Sequence, residues 1–175
     1  MSLADGDYLI VAEKVVETLM ADTGDGGLRE EPKPPVKTIE PRIRKEAKLY
    51  SKYELPLIGV EVVRKREEPS GSSQLLDKIF EIEFLILCRG GDREIESERA
   101  KRIAGRLEKV LREQNLAEKQ FSGLAGLIDA SQGVLLSRVK ESGFESRFFE
   151  DASGKNPEVS AMVFAEIVVP CSMVL

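Results

Sequence analysis

Lys78-Ile-Phe-Glu-Ile-Glu-Phe-Leu-Ile-Leu-Cys88 alternates in period two, then passes through Arg89-Gly90-Gly91-Asp92 into a charged segment that reaches Glu113. One face of the first run carries Phe80, Ile82, Phe84, Ile86 and Cys88, and the other carries Ile79, Glu81, Glu83, Leu85 and Leu87. Successive strand residues point to opposite faces, so this pattern predicts a strand with one buried face. The apolar Leu85 and Leu87 predict cover on the second face at that end too. Asp92 is placed to cap a helix, because its carboxylate can accept the free amides of a first turn. Behind it Ala100, Ile103, Ala104, Leu107, Val110 and Leu111 recur at three- and four-residue steps, one apolar stripe on a charged rod.

Working outward, Tyr8, Val11, Val15 and Leu19 predict a first helix ending near Met20, capped by Asp7 or Asp5 and closed by Thr23-Gly-Asp-Gly-Gly27. That glycine run follows a helix and lacks the lysine of a phosphate loop, so it reads as a terminator. Residues 28–53 read as an irregular, Pro-rich and basic segment. Glu30-Glu-Pro-Lys-Pro-Pro35 must be extended, since each proline fixes its own φ and constrains the residue before it. Leu55-Pro-Leu-Ile-Gly-Val-Glu-Val-Val-Arg-Lys-Arg66 is a strand, with Ile58, Val60 and Val62 on one face. The polar stretch Glu67–Ser73 should return it as an antiparallel hairpin into Lys78. After the charged helix, Phe121–Ala130 reads as a short helix or turn, Val134–Glu141 as a short strand and Gly143–Glu150 as another. The last strand, Val159–Val169, has a small apolar face, and Pro170 should end its ladder.

The order helix, strand, strand, helix, strand, strand, strand predicts an α+β fold. Its sheet should be mixed or antiparallel, of about 4–5 strands, with the two main helices packed on one face. A single domain over 1–175 is expected, since 175 residues suffice to bury a sizeable core. No apolar run approaches the roughly 20 residues of a membrane span, and no basic-then-apolar signal pattern opens the chain. A cytosolic setting with no membrane partner is therefore expected. Cys88 and Cys171 should be buried free thiols rather than a disulfide.

The chain has no histidine. That excludes serine or cysteine nucleophiles activated by histidine and zinc sites containing it, and two cysteines cannot make a four-cysteine site. A net charge of −5 gives no overall drive toward nucleic acid, which is an unlikely partner. Glu81 and Glu83 share a strand face, as an acid–base pair would. The stronger reading is a solvent face, since no aromatic platform or third polar group accompanies them. Asp92, Glu94, Glu96 and Glu98 match no calcium-loop spacing and fit an acidic first helical turn instead. Catalytic residues, cofactor and metal are therefore all expected to be none. The stretch 42–53, with Arg42, Arg44, Lys45, Lys48 and Lys52 beside Tyr50 and Tyr53, is a candidate partner-contacting arm, set against a solvated loop.

Taken together, the elements resemble the small phage tail-terminator and head–tail joining (neck) proteins. The likeness rests on order and placement: the helix Tyr8–Met20, an irregular Pro-containing stretch, and a strand opening Leu55-Pro56-Leu-Ile-Gly-Val-Glu-Val. The strand ending Phe84-Leu-Ile-Leu-Cys-Arg, the helix from Asp92 to the Leu107-Glu-Lys-Val-Leu-Arg end, and a hairpin with Phe148-Phe-Glu-Asp and Ala161–Val169 complete it. Segments 28–53 and 121–136 are longer than that pattern expects. The resemblance implies a non-enzymatic structural protein of a phage or prophage, in the virion or host bacterial cytoplasm. It would act as a homo-oligomer, commonly a hexameric ring, that caps the tail tube and docks the head connector. The basic stretch 42–53 meeting the acidic turn Asp92–Glu98 of a neighbour is one pairing such a ring could use. The alternative is a nucleic-acid or protein binding module using 42–53.

Overall fold

The computed structural model describes residues 7–44, 50–69, 75–113, 138–149 and 158–172. Its elements are α1 (Asp7–Met20), β1 (Thr38–Glu40), β2 (Leu57–Pro69), β3 (Leu75–Arg89), α2 (Arg93–Glu113), β4 (Arg138–Phe149) and β5 (Glu158–Ser172). They make an α+β fold around a five-stranded mixed sheet of order β1-β2-β3-β5-β4. Only β1 runs parallel to its neighbour; the other pairs are antiparallel. The alternating strand β3 is central, and β5 lies between β3 and β4, so α2 crosses over β5 to join two parallel strands.

Both helices lie on one face of the sheet and share one core. Phe80, Ile82, Phe84, Ile86 and Cys88 of β3 meet Val159, Ala161, Val163, Ala165 and Ile167 of β5, all buried. From above, α2 sets down Ala100, Ile103, Ala104, Leu107, Val110 and Leu111, while α1 sets down Val11, Val15 and Leu19. Alanines on both α2 and β5 let helix and sheet approach closely, and the two phenylalanines fill the space between. Each fully buried phenylalanine contributes about 2–3 kcal/mol of apolar transfer. Asp92 caps α2 as its position predicts: its Oδ1 accepts the amides of Glu94 at 2.8 Å and Ile95 at 3.2 Å. The end of α1 turns through Gly26, which takes φ +69°.

On the opposite face, Leu57 and Leu87 are covered by Tyr50 and Leu55, with Leu85 packed alongside. This is the second cover that the apolar end of β3 calls for. The chain approaches so closely that a Cβ on Gly59 would lie 2.7 Å from the carbonyl oxygen of Arg42. Only glycine leaves room for the loop to lie on the sheet there.

Four expectations change. The segment 28–53 is not wholly irregular, because Thr38–Glu40 adds β1 beside Leu57–Gly59, a parallel pairing too short to leave a periodic signal. The hairpin strands are longer than their apolar patterns: Glu67, Glu68 and Pro69 still pair with Lys78, Asp77 and Leu76. The two strands expected over 134–150 are one, β4, carried across a register irregularity between Val139 and Glu141, and residues 134–137 lie outside the described residues. Pro170 does not end the ladder, since β5 pairs with β3 as far as Ser172. Among the described residues β4 pairs no further than Val168, so β5 beyond it has one described neighbour, and a residue without an N–H is tolerated on such an edge. The readings for Asp5 and for Phe121–Ala130 also lie outside the described residues.

Cys88 stands opposite Val159, and Cys171 opposite Leu76, twelve residues further along β3. At about 3.3 Å per residue the two lie roughly 40 Å apart, far beyond disulfide reach. Cys88 is a buried free thiol, and burial, then the nearby Glu96 carboxylate, push it up to about 12.

Candidate functional site

The loop between β1 and β2 holds the basic residues of the candidate arm, and the structure divides those it describes. Arg44 is clamped: Nη2 donates to Glu40 Oε2 at 2.9 Å and to Glu54 Oε1 at 2.8 Å. Its guanidinium carbon lies 4.9 Å from the Tyr50 ring centroid, and its backbone amide donates to the Tyr50 hydroxyl at 2.8 Å. These bonds hold Arg44 charged and pull the Glu54 carboxyl below its ordinary range, the Arg44 hydrogen bond being the main cause. Tyr50 is buried, and that burial raises its hydroxyl. Arg44 and Tyr50 therefore hold the loop together. Arg42, Lys52 and Tyr53 point outward, with Tyr53 77% exposed and Lys52 Nζ 5.0 Å from its ring centroid. Lys45 and Lys48 lie outside the described residues.

The acidic turn is divided in the same way. Asp92 spends its carboxylate on the helix cap, and buried Glu96 packs over Gly90 and takes Arg99 at 3.0 Å. Glu94 and Glu98 remain exposed, the latter 3.7 Å from Arg102. Among the described residues of one chain, the loop's ion pairs stay within Glu40–Glu54 and those of Glu96 and Glu98 stay within α2. The loop lies on the open face of the sheet, while α2 packs on the other.

The open face also holds Glu81 and Glu83. Arg66 donates to Glu81 Oε1 at 2.6 Å and to Glu166 Oε1 at 2.8 Å, so Glu81 is locked in a cross-strand ion pair. Arg66 is raised in turn, chiefly by its bond to Glu166. An acid–base pair needs two carboxylates free to act together, and Glu81 is not free. Glu83 stands directly opposite Glu61 on β2 and Phe164 on β5. A concavity of about 280 Å³ lies here, lined by Val63, Glu81, Ile82, Glu83, Phe164, Ala165 and Glu166.

A second groove, of about 390 Å³, runs between α2 and the turn at Gly26–Leu28, with Arg99, Arg102 and Arg106 on its wall. Its floor contains a contact that sequence reasoning did not find. Arg106 Nε donates to Asp22 Oδ2 at 2.8 Å, its Nη2 bonds Oδ1, and the Leu28 amide donates to Oδ2 at 2.8 Å. Burial works against the charged Asp22, but these hydrogen bonds and the guanidinium charge outweigh it and lower the carboxyl. Nothing in the local pattern around Asp22 marks a partner 84 residues away. Among the described residues no group of three acidic or cysteine side chains is arranged to hold a metal ion. No helix among them is long and apolar enough to cross a membrane.

These elements define a protein of the α+β class with one helix-covered sheet face and one open, charged face. No family model matches the chain, and no curated protein does. Among solved structures it is similar to a chain in the virion of a native gene transfer agent particle, at 11% identity and a TM-score of 0.44. That alignment covers 95% of this chain and 99% of the other. Likeness at this level decides nothing about function.

Proposed function

We propose that this chain is a non-enzymatic structural subunit of a phage or prophage tail. It would be a tail-terminator or neck protein that forms a ring, docks on the tail tube and presents a surface to the head connector. The observation that carries the reading is how the ionised side chains are used. Asp22–Arg106 ties the turn after α1 to α2, Glu40–Arg44–Glu54 ties the loop to itself, and Arg66 ties β2 to β3 and β5. These charges brace the scaffold, and the concavities along α2 and on the open face are open surface features of the described residues. The order of elements also follows the pattern on which the tail-terminator resemblance rests.

The binding-module alternative loses Arg44 and Tyr50 to the interior of the loop, which leaves Arg42 and Lys52 as its described cations. The test is mass in solution together with electron microscopy of the chain mixed with completed tail tubes. Rings seated on tube ends are the expected result. A monomer at every concentration that leaves tube ends bare would overturn the proposal.

A further inference from the structure

The middle of the open sheet face has a local conflict that the chain does not resolve by itself. Glu61 and Glu83 are direct cross-strand partners, which places their Cβ atoms about 5 Å apart, and like charges so placed repel. The neighbouring row is settled: Arg66 holds both Glu81 and Glu166, and Arg64 approaches Glu81 at 3.9 Å. Neither Glu61 nor Glu83 has an ion pair or hydrogen bond among the described residues. Beside them Phe164 and Val63 are 38% and 45% exposed, and the 280 Å³ concavity opens between them. Two uncompensated carboxylates next to exposed apolar surface suit a cation carried on an apolar or aromatic body.

The same chain displays such a group elsewhere. Tyr53 stands out from the loop with Lys52 already against its ring, and Arg42 of the same loop, its Nε 3.4 Å from Glu40 Oε2, keeps its side chain 68% exposed. The loop core of Arg44, Glu40, Glu54 and Tyr50 fixes the base of this knob, so little ordering remains to be done on contact. Knob and acidic concavity are separate patches on the same open face of the sheet. Mating them joins copies head to tail, the kind of contact that closes into a ring or runs on as a filament.

We propose that the Glu83–Phe164 concavity of one copy, with Glu61 standing opposite Glu83 on the neighbouring strand, receives the Arg42, Lys52 and Tyr53 side chains of the next. This deepens the ring reading above and rests on it, and it replaces the acidic turn Asp92–Glu98 as the partner of the basic loop. The cations of the incoming knob neutralise the opposed glutamates, and the Tyr53 ring lies against Phe164 and Val63. Salt should weaken the contact, since its charges sit at an open surface.

Sedimentation of the full chain tests this with two charge-reversed variants, Glu61→Lys/Glu83→Lys and Arg42→Glu/Lys52→Glu. Each alone should lose self-association, because one half of the contact is reversed. Mixed in equal amounts they should reassociate into alternating assemblies, since the unaltered knob still meets the unaltered concavity and the reversed knob meets the reversed concavity. Should a charge reversal fail to fold, Glu83→Gln and Tyr53→Ala carry the same test, each expected to weaken association by about tenfold or more. Wild-type-like assembly of the variants, or a mixture that stays monomeric, overturns the proposed surface and leaves the ring reading standing. A wild-type chain that never associates, alone or on tail tubes, removes both.

Discussion

The two faces of the same sheet are built on opposite terms. Under the helices, β3 and β5 present only apolar side chains, and nearly every one is buried. Across the sheet the same strands present Glu81 and Glu166, held by one shared arginine, and Glu83 and Phe164, left partly open. Most apolar burial therefore lies on one face and most exposed charge on the other. A residue's worth to the fold depends on which face it takes, more than on what kind of residue it is.

The sharpest way to break this comparison is to truncate one phenylalanine on each face. Phe84→Ala, in the covered core, should cost about 3–5 kcal/mol in urea unfolding. Phe164→Ala, partly exposed, should cost about 1 kcal/mol. Equal losses would mean that the open face is as much a core as the covered one.

Next in size is the bridge that closes the helix layer. Arg106→Ala should cost about 2 kcal/mol, because it strands a largely buried carboxylate. The pH dependence has a fixed sign. Asp22 is lowered on folding, so its contribution is complete above the ordinary value of 3.8 and is lost as pH falls through the lower, folded value. Asp22→Asn should accordingly flatten the acid limb of a stability-versus-pH curve, and an unchanged limb would argue against this ion pair.

Gly59→Ala probes the loop on the open face. Its new methyl would press on the Arg42 carbonyl, so about 1–2 kcal/mol should be lost, with Tyr53 displaced and its quenching by acrylamide altered. Asp92→Ala removes the α2 cap and should cost about 1 kcal/mol, read from thermal unfolding. The smallest effect has the opposite sign. Glu61→Gln relieves the opposed carboxylates and should stabilise the dilute chain by about 0.2–0.5 kcal/mol while weakening its self-association. A change that improves the fold and harms assembly would separate the two faces most cleanly.

The sequence by itself determined the elements and their buried sides. Period-two alternation in 78–88, the three- and four-step stripe in 100–111 and the cap at Asp92 are local patterns, set by backbone geometry that repeats along the chain. They predicted an α+β sheet with both helices on one face, and the strand order then put β3 at its centre. What that reading could not supply is pairing between distant residues. Arg106 finds Asp22 across 84 residues, and Arg66 finds Glu166 across 100. Arg44 and Tyr50 were candidate contact residues in the sequence, and only the folded loop turned them inward. Glu61 and Glu83 looked like ordinary solvent-face residues until the register of β2 against β3 set them directly opposite each other. A charge acquires its role from its neighbours in space. The strand pattern fixes which face it occupies, but the tertiary register alone decides whether it is answered there or left for another chain.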